Sequence, residues 1–421
     1  MNIIKDLTAR GFIDQVSSPD LEKLVTKPIK AYIGFDPTAD SLHVGNLVGI
    51  MALVWMQKYG HTPYVILGGG TGRIGDPSGK SRERPLLDEK LLQANVLALE
   101  KFFKGIFPKT DKTVPVILNN DSWLQRMSFI HFLRDVGKEF RLGVMLAKES
   151  VKARLESEEG MSFTEFCYQI LQAYDFAYLA DKEGVVLQMG GSDQWGNIIA
   201  GIEFARKKMG KALYGATFPL LTRSDGKKFG KSEEGAIWLS KEKLSPYDFY
   251  QYFVRLPDGD VIKMMRMLTF MSLEEIAHYE KKMGENPNFA QKKLAEEVTR
   301  FVHEKGGLQM ALKVTQGAAP GAKGVLTSRV LEEMAEGMPS FSCKKSEVID
   351  VKFVEISYKS GLVPSKSEAV RLIKNGGAYL NNEKIEDPLF RLEERHLIDG
   401  KYAVISAGKK KKILLNIKND L

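Results

Sequence analysis

The chain has 421 residues, of which 43% are hydrophobic and 27% charged, the make-up of an ordinary soluble globular protein of about two to four domains. A net charge of +8 and a pI near 9.1 lean toward a polyanionic partner. Two cysteines, Cys167 and Cys343, exclude a disulfide framework and give no zinc spacing. The start lacks an apolar run of signal-peptide length, and no stretch is apolar enough to span a bilayer, so a cytoplasmic location is expected.

Up to about position 220, short β-rich runs alternate with long helical patterns, the rhythm of a Rossmann-type doubly wound parallel sheet in the α/β class. Predicted strands are Ala31–Phe35, Tyr64–Leu67, Val114–Leu118 and Val185–Met189, with a fifth near Phe218–Thr222. The loops after them are crowded with glycine and small polar residues, and in open parallel sheets ligands bind outside that edge. Between Asp121 and Glu159 a charged helical stretch reads as an insertion between the halves of the sheet. From Ser245 to Gln316 the pattern is helical, punctuated by Pro246, Pro257 and Pro287, and Gly317–Gly324 reads as a hinge. The expected organisation is a sheet domain over 1–222 with an insertion at about 121–160. A loop and helical domain over 223–324 and a small α+β domain over 345–421 follow.

In that last domain, Ser365-Lys366-Ser367-Glu368 predicts a capped helix with Ala369, Leu372 and Ile373 on its apolar face, ended by Gly376-Gly377. Asn381-Asn382 suits a primed hairpin turn. From Lys344 onward, 16 Lys/Arg face 11 Asp/Glu, so this tail carries +5 of the chain's +8. Lys366, Arg371 and Lys374 on or beside one short helix are candidates for phosphate contacts.

Three constellations carry chemistry. The run from Ala31 to Asn46 goes from strand to helix, with Asp40 or Ser41 expected as the cap and His43 and Asn46 in the first turns. A helix start offers free N–H groups to phosphate, and Gly45 would let a flat ligand press close. Gly226-Lys-Lys-Phe-Gly230-Lys231-Ser232 offers Lys227, Lys228 and Lys231 on a glycine-loosened loop that can bring cations to a polyphosphate. Ser162-Phe163-Thr164-Glu165 predicts another capping box, and Tyr168, Gln172 and Asp175 then share one face of its helix as a polar pocket wall.

Two look-alikes are rejected. Gly70-Thr71-Gly72-Arg73-Ile74-Gly75 spells a dinucleotide fingerprint, but Asp76-Pro77-Ser78-Gly79-Lys80 continues a loop and no strand-ending acid follows. Gly75–Ser81 and Gly226–Ser232 imitate a P-loop but hold three residues between their glycines where four are needed.

The stretch ending His43-Val44-Gly45-Asn46 resembles the first signature of class I aminoacyl-tRNA synthetases, and Lys228-Phe229-Gly230-Lys231-Ser232 resembles the second. The spelling of Gly34–Asn46, Gly72–Lys80, Tyr168–Asp175 and Gly191–Asn197 is similar to the bacterial-type tyrosyl-tRNA synthetase family, over nearly the whole chain. The resemblance implies activation of L-tyrosine by ATP with accompanying Mg²⁺, transfer to the 3′-terminal adenosine of tRNA(Tyr), and a homodimer joined through the insertion. It implies no dedicated metal site. It also implies that Tyr32 and Asp175 meet the phenolic hydroxyl beside Gly34, that Asp76, Tyr168 and Gln172 hold the α-ammonium, and that Gln194 lies near the carboxylate. Asp193 and Gly191 would contact the ribose, with Asp36 and Gly45 on the nucleotide side. Thr38, His43, Asn46, Lys80, Arg84, Lys228, Lys231 and Ser232 would handle the ATP phosphates. Two positions depart from the family pattern: Ile33 replaces a ribose-contacting cysteine, and Asn46 replaces the second histidine of the first signature.

Such a reaction requires no protein nucleophile or acid–base pair, only positioning and stabilisation of charge on the phosphates. The nearest rival, a tryptophanyl enzyme, suits Tyr32 and Asp175 less well, since an indole N–H only donates. An NAD dehydrogenase needs the rejected fingerprint, and an RNA-binding or RNA-modification protein leaves both nucleotide signatures unexplained.

Overall fold

Apolar runs in the first half of the chain form strands that are covered on both faces by helices. The computed structural model describes residues 2–420 except 79–86, 110–112, 159, 225, 227–228, 233–234, 287, 318–326, 336–337, 409–410 and 419, with backbone only at 149–150, 153, 231–232, 329–330 and 333–334. The chain divides into two compact units, Met1–Trp238 with Ile262–His278, and Leu239–Val261 with Tyr279–Leu421.

The first unit is built on β1 (Gln15–Val16), β2 (Lys30–Phe35), β3 (Thr62–Leu67), β4 (Val116–Asn119), β5 (Leu187–Gly191) and β6 (Tyr214–Phe218). The sheet order is β1-β6-β5-β2-β3-β4, with β1 antiparallel and the other five strands parallel. The parallel strands reproduce the doubly wound order, and the chain switches direction between β2 and β5, where such sheets open a ligand crevice.

Three predicted strands shift, each for a local reason. β4 starts only after Pro115, which lacks the N–H a ladder needs. β5 runs on through Gly190 and Gly191, read as loop. These glycines let the Ser192–Gln194 turn fold back, since a Cβ on Gly190 would lie 3.0 Å from Gln194 Cβ. β6 spans Tyr214–Phe218, earlier than Phe218–Thr222. Gly215 dilutes its strand signal, yet a Cβ there would sit 2.4 Å from Ile198 of the covering helix.

The insertion is helical as expected, in short pieces from Asp121–Leu124 to Glu149–Leu155. Phe129, Ile130, Leu133, Leu142 and Val144 stand exposed on it. Inside, Arg154 and Glu165 form a buried bidentate pair at 2.7 and 2.8 Å, so the Glu165 carboxylate serves Arg154 while Ser162 Oγ caps the Phe163–Lys182 helix by accepting from Glu165 N.

In the second unit, the Pro246–Val254 helix starts on a Ser245 cap with proline in its first turn. The Phe289–Gly317 helix breaks at Glu304, whose φ of 58° and ψ of −175° are not helical, a kink that the regular pattern did not announce. The tail forms a sheet of β9 (Ser340–Lys344), β10 (Ala378–Leu380), β11 (Glu383–Lys384), β12 (Tyr402–Ala407) and β13 (Lys411–Lys418) in the order β11-β10-β12-β13-β9. Two helices, Phe353–Lys359 and Lys366–Lys374, accompany it, the second capped by Ser365 as predicted. Asn381 and Asn382 take φ of 47° and 71°, the primed turn their amides tolerate. A small apolar cluster joins Tyr247 and Val314 to Leu331, Met338, Val404 and Leu414. Of the expected hinge Gly317–Gly324, Gly317 ends the Phe289–Gly317 helix and 318–324 lie outside the described residues.

Candidate active site

At the β2–β5 switch, where open parallel sheets bind ligands, the Phe163–Lys182 helix packs beside β2, with the Phe176 ring 5.3 Å from that of Tyr32. Tyr32 points inward from β2 and is 2% exposed, and its buried hydroxyl has no hydrogen-bond partner among the described residues. Burial, reinforced by nearby Asp175, pushes its pKa well above the usual range. Ile33 faces the other way: its Cδ1 would lie 3.6 Å from a Cβ on Gly49, so it packs against the Val44–Lys58 helix. Gly34 is exposed at the strand end, and a Cβ there would meet nothing within 4 Å.

Asp175 is buried and accepts from Asn120 Nδ2 at 2.8 Å and Trp123 Nε1 at 2.7 Å. Burial pushes its pKa up to about 7 against the lowering effect of those bonds, with Asp36 adding to the rise. Asn120 also donates to Thr71 Oγ1 at 3.0 Å and accepts from Gly70 N at 2.8 Å. Asn119-Asn120-Asp121 is one of the polar loops that follow the predicted strands, but neither Asn120 nor Trp123 was marked as a site residue.

Asp36, just beyond β2, accepts from Thr71 Oγ1 and from the Tyr168 hydroxyl, both at 2.8 Å. Asp76 accepts from Ser78 N at 2.9 Å and from Gln194 Nε2 at 2.8 Å, and Gln172 Oε1 accepts from Asn197 Nδ2 at 3.0 Å. The Tyr168 pKa is raised well above its usual value by burial and then by three carboxylates, Asp36, Asp76 and Asp175. Such a concentration of negative charge suits a cationic ligand group. Tyr32, Asp36, Asp76, Tyr168, Asp175 and Gln194 are thus linked by hydrogen bonds or close charge, and Gln172 joins them through Asn197 and Ser78. Gly191 closes β5, where a Cβ would lie 2.6 Å from Asp193 Oδ1, and Asp193 and Thr38 are exposed.

At the first signature the structure corrects the cap. His43, not Asp40 or Ser41, caps the Val44–Lys58 helix: its Nδ1 accepts from Gly45 N at 3.0 Å, and Asn46 Oδ1 accepts from His43 N at 3.1 Å. Ser41 Oγ instead donates to the Leu42 carbonyl at 3.0 Å. With Nδ1 accepting, the neutral imidazole carries its proton on Nε2, a donor fit for a phosphate oxygen. The space a side chain at Gly45 would fill is taken by the His43 ring, 2.8 Å away at Cε1. The N–H groups expected to be free are engaged: Val44 N donates to Ile237 O at 2.8 Å and Asn46 N to His43 O at 2.8 Å.

Ile237 lies just past the second signature and bonds back to Gly230 within it, and Gly230 itself lies against Gly45, so the two signatures meet. β7 (Lys231–Ser232) and β8 (Gly235–Ala236) pair antiparallel, Ile237 N donates to Gly230 O at 2.9 Å, and a Cβ on Gly230 would be 2.9 Å from Gly45 N. Lys80, Arg84 and Lys228 lie outside the described residues, and only the backbone of Lys231 and Ser232 is described. In the tail, Lys366, Arg371 and Lys374 are exposed; Lys366 pairs with Glu355 at 3.3 Å and Arg371 with Glu368 at 3.6 Å, surface pairs that hold little.

Residues 23–318 match the family model described as tRNA synthetases class I (W and Y), and residues 330–415 match the Tyrosine--tRNA ligase SYY-like C-terminal domain. The chain is 54% identical over 420 residues, 99% of both chains, to a Tyrosine--tRNA ligase of Protochlamydia amoebophila. It is 49% identical to the chloroplastic/mitochondrial Tyrosine--tRNA ligase of Arabidopsis thaliana, covering 99% of this chain and 84% of that one. Among solved structures, a C-terminally truncated mitochondrial tyrosyl-tRNA synthetase of Coccidioides posadasii superposes with a TM-score of 0.66 at 34% identity, covering 74% of this chain and 91% of that one. The chain belongs to the tyrosyl-tRNA synthetases of class I, and it joins tyrosine to tRNA using ATP.

Proposed function

We propose that Tyr32 and Asp175 read the phenolic hydroxyl of tyrosine, with Gly34 leaving room along β2, and that Asp76, Tyr168 and Gln172 hold its α-ammonium. The observation that carries this reading is the buried Tyr168 hydroxyl, which donates to Asp36 at 2.8 Å and has Asp76 and Asp175 near enough to act on it, a concentration of carboxylates beside Gln172. The orphaned Tyr32 hydroxyl supports the other end, because a buried O–H without a partner gains most from a bound one. Gln194 lies beside the carboxylate, Gly191 and Asp193 beside the ribose, and Asp36 and Gly45 on the nucleotide side.

On this reading the tyrosine carboxylate attacks the α-phosphate, its new C–O–P bond forming as the bond to pyrophosphate breaks. His43 donates from Nε2 to a phosphate oxygen, and Asn46 fixes the His43 backbone that aims it. Thr38, Lys80, Arg84, Lys228, Lys231 and Ser232 serve the phosphates as positions carried over from the family motifs. A terminal ribose hydroxyl of tRNA(Tyr) then takes the tyrosyl group and AMP leaves. Mg²⁺ enters with ATP, held chiefly by its phosphates.

Three functional divisions follow: a catalytic domain over 1–222, a signature loop and helical domain over 223–324, and an RNA-binding domain over 345–421 in which Lys366, Arg371 and Lys374 meet tRNA phosphate. The exposed apolar side chains of the insertion, Phe129, Ile130, Leu133, Leu142 and Val144, are the face of a homodimer. The protein works in the cytoplasm; no helix among the described residues is long and apolar enough to cross a membrane. Amino-acid-dependent exchange of pyrophosphate into ATP tests the substrate reading. Exchange with tyrosine, and none with tryptophan or without amino acid, is expected; exchange with tryptophan alone overturns it.

A further inference from the structure

The helices Phe163–Lys182 and Trp195–Met209 pack tightly at their middles, where a Cβ on Gly201 would be 3.1 Å from Phe176 Cδ1 and 3.5 Å from Ala173 Cα. Two cavities lie where these helices meet the insertion: a small one of about 20 Å³ bordered by Pro77, Ser78, Gln169 and Asn197, and one of about 210 Å³ bordered by Phe140, Met145, Gln169, Trp195 and Phe204. Lys148 of the insertion borders both. Its Nζ donates to Gln169 Oε1 at 2.6 Å and to the Gly196 carbonyl at 2.8 Å, and its stem lies against Gly196, with Cδ 3.7 Å and Cε 3.8 Å from where a Cβ would be. Gln169 is buried, and its Nε2 has no partner among the described residues, so Lys148 is its tie on the Oε1 side.

The neighbours of the two tied residues belong to the pocket. Gln169 follows Tyr168 and precedes Gln172 by one turn, and Gly196 lies between Gln194 and Asn197, the partners of Asp76 and Gln172. Where packing is interrupted on both sides, position is held by directional bonds instead. We infer that Lys148 is a positioning residue for the amino-acid site: by clamping Gln169 to Gly196 it holds the helix that carries Tyr168 and Gln172 of the α-ammonium subsite against the helix whose Asn197 bonds Gln172. The inference rests on the subsite proposed above. Because Lys148 belongs to the insertion, the clamp also makes tyrosine affinity depend on where the insertion sits. Burial lowers the Lys148 pKa to about 8, with Glu203 opposing the fall, so the clamp acts near neutrality mainly as a charged donor.

The test compares the full-length chain with Lys148→Met, which keeps the length of the stem and removes the donor, and with Gln169→Leu, which removes the acceptor. Dissociation constants are measured for L-tyrosine and for its desamino analogue, 3-(4-hydroxyphenyl)propionate. Either variant should weaken tyrosine about tenfold, the worth of one buried hydrogen bond, and leave the analogue unchanged. Lys148→Arg, which keeps a donor, should recover at least half of the loss. Equal weakening of both ligands, no weakening, or no recovery with arginine would overturn the clamp. Asp76→Asn separates the two claims. If it weakens tyrosine selectively while Lys148→Met does not, the clamp alone fails; if it weakens both ligands alike, the subsite reading fails and the clamp with it.

Discussion

Asn120 holds Asp175 in place: its Nδ2 donates to Asp175 Oδ2 at 2.8 Å while its own carbonyl is fixed by Gly70 N at 2.8 Å. Asn120→Ala should therefore leave Asp175 with Trp123 as its remaining described donor and let the carboxylate turn from the crevice. The expected loss in tyrosine affinity is about 1–2 kcal/mol, roughly tenfold, with little change in ATP affinity. Equilibrium binding of each substrate checks it, and equal losses for both would assign Asn120 to general stability.

The raised pKa of Asp175 predicts a pH signature. A carboxyl that titrates at about 7 in the folded chain, against 3.8 for its ordinary value, binds its proton more tightly folded than unfolded. Its contribution to stability is thus fully present below about pH 4 and is lost as pH rises through about 7. Asp175→Asn should remove this dependence. The stability of the wild type relative to that variant should fall by a few kcal/mol between those limits and then level off. Urea unfolding at matched pH values checks it; parallel curves for the two proteins would contradict the buried, ionisable state of Asp175.

Lys231→Ala should slow adenylate formation by about a hundredfold or more while tyrosine binding stays close to normal, because a cation serving the leaving pyrophosphate acts on the transition state. Stopped-flow activation reads both quantities. A fall in tyrosine affinity proportional to the rate would place Lys231 with the amino acid instead.

Truncation at Gly324 should leave pyrophosphate exchange intact and remove most tRNA charging, with a shallower salt dependence in whatever tRNA binding remains. The structure adds a cost: removing the tail uncovers Tyr247 and Val314, which share an apolar cluster with Leu331, Met338, Val404 and Leu414. The truncated chain should accordingly melt at a lower temperature than the full chain. Full-rate charging would show the tail to be dispensable, and loss of exchange would show that the cut crosses a core the catalytic domain needs.

What could be read from sequence followed the range of the physics. Four of the five parallel strands were legible because apolar runs such as Tyr64–Leu67 mark a buried sheet, and the Tyr168, Gln172 and Asp175 face was legible because helical spacing is local. Boundaries failed where packing overrode local preference, as at Gly190 and Gly215, whose glycines sit inside strands because Gln194 and Ile198 press on them. The His43 cap was missed because serine and aspartate are the usual caps and an imidazole nitrogen is not. Asn120, Trp123 and Lys148 act through partners about 20 to 55 residues away, and nothing in their own neighbourhoods announces those partners.

The central claim is that Tyr32 and Asp175 recognise the phenolic hydroxyl. A site built to bond a hydroxyl rejects the analogue lacking it because its own buried groups are left unpaired, a rule of which tyrosyl-tRNA synthetases are themselves the standard example. Removing one of those groups relaxes the penalty. The most direct measurement is the ratio of kcat/KM for tyrosine to kcat/KM for phenylalanine, taken from pyrophosphate exchange with the wild type and Tyr32→Phe. The ratio should fall in the variant, chiefly through poorer use of tyrosine. An unchanged ratio would remove Tyr32 from the recognition of substrate and contradict the pocket described here.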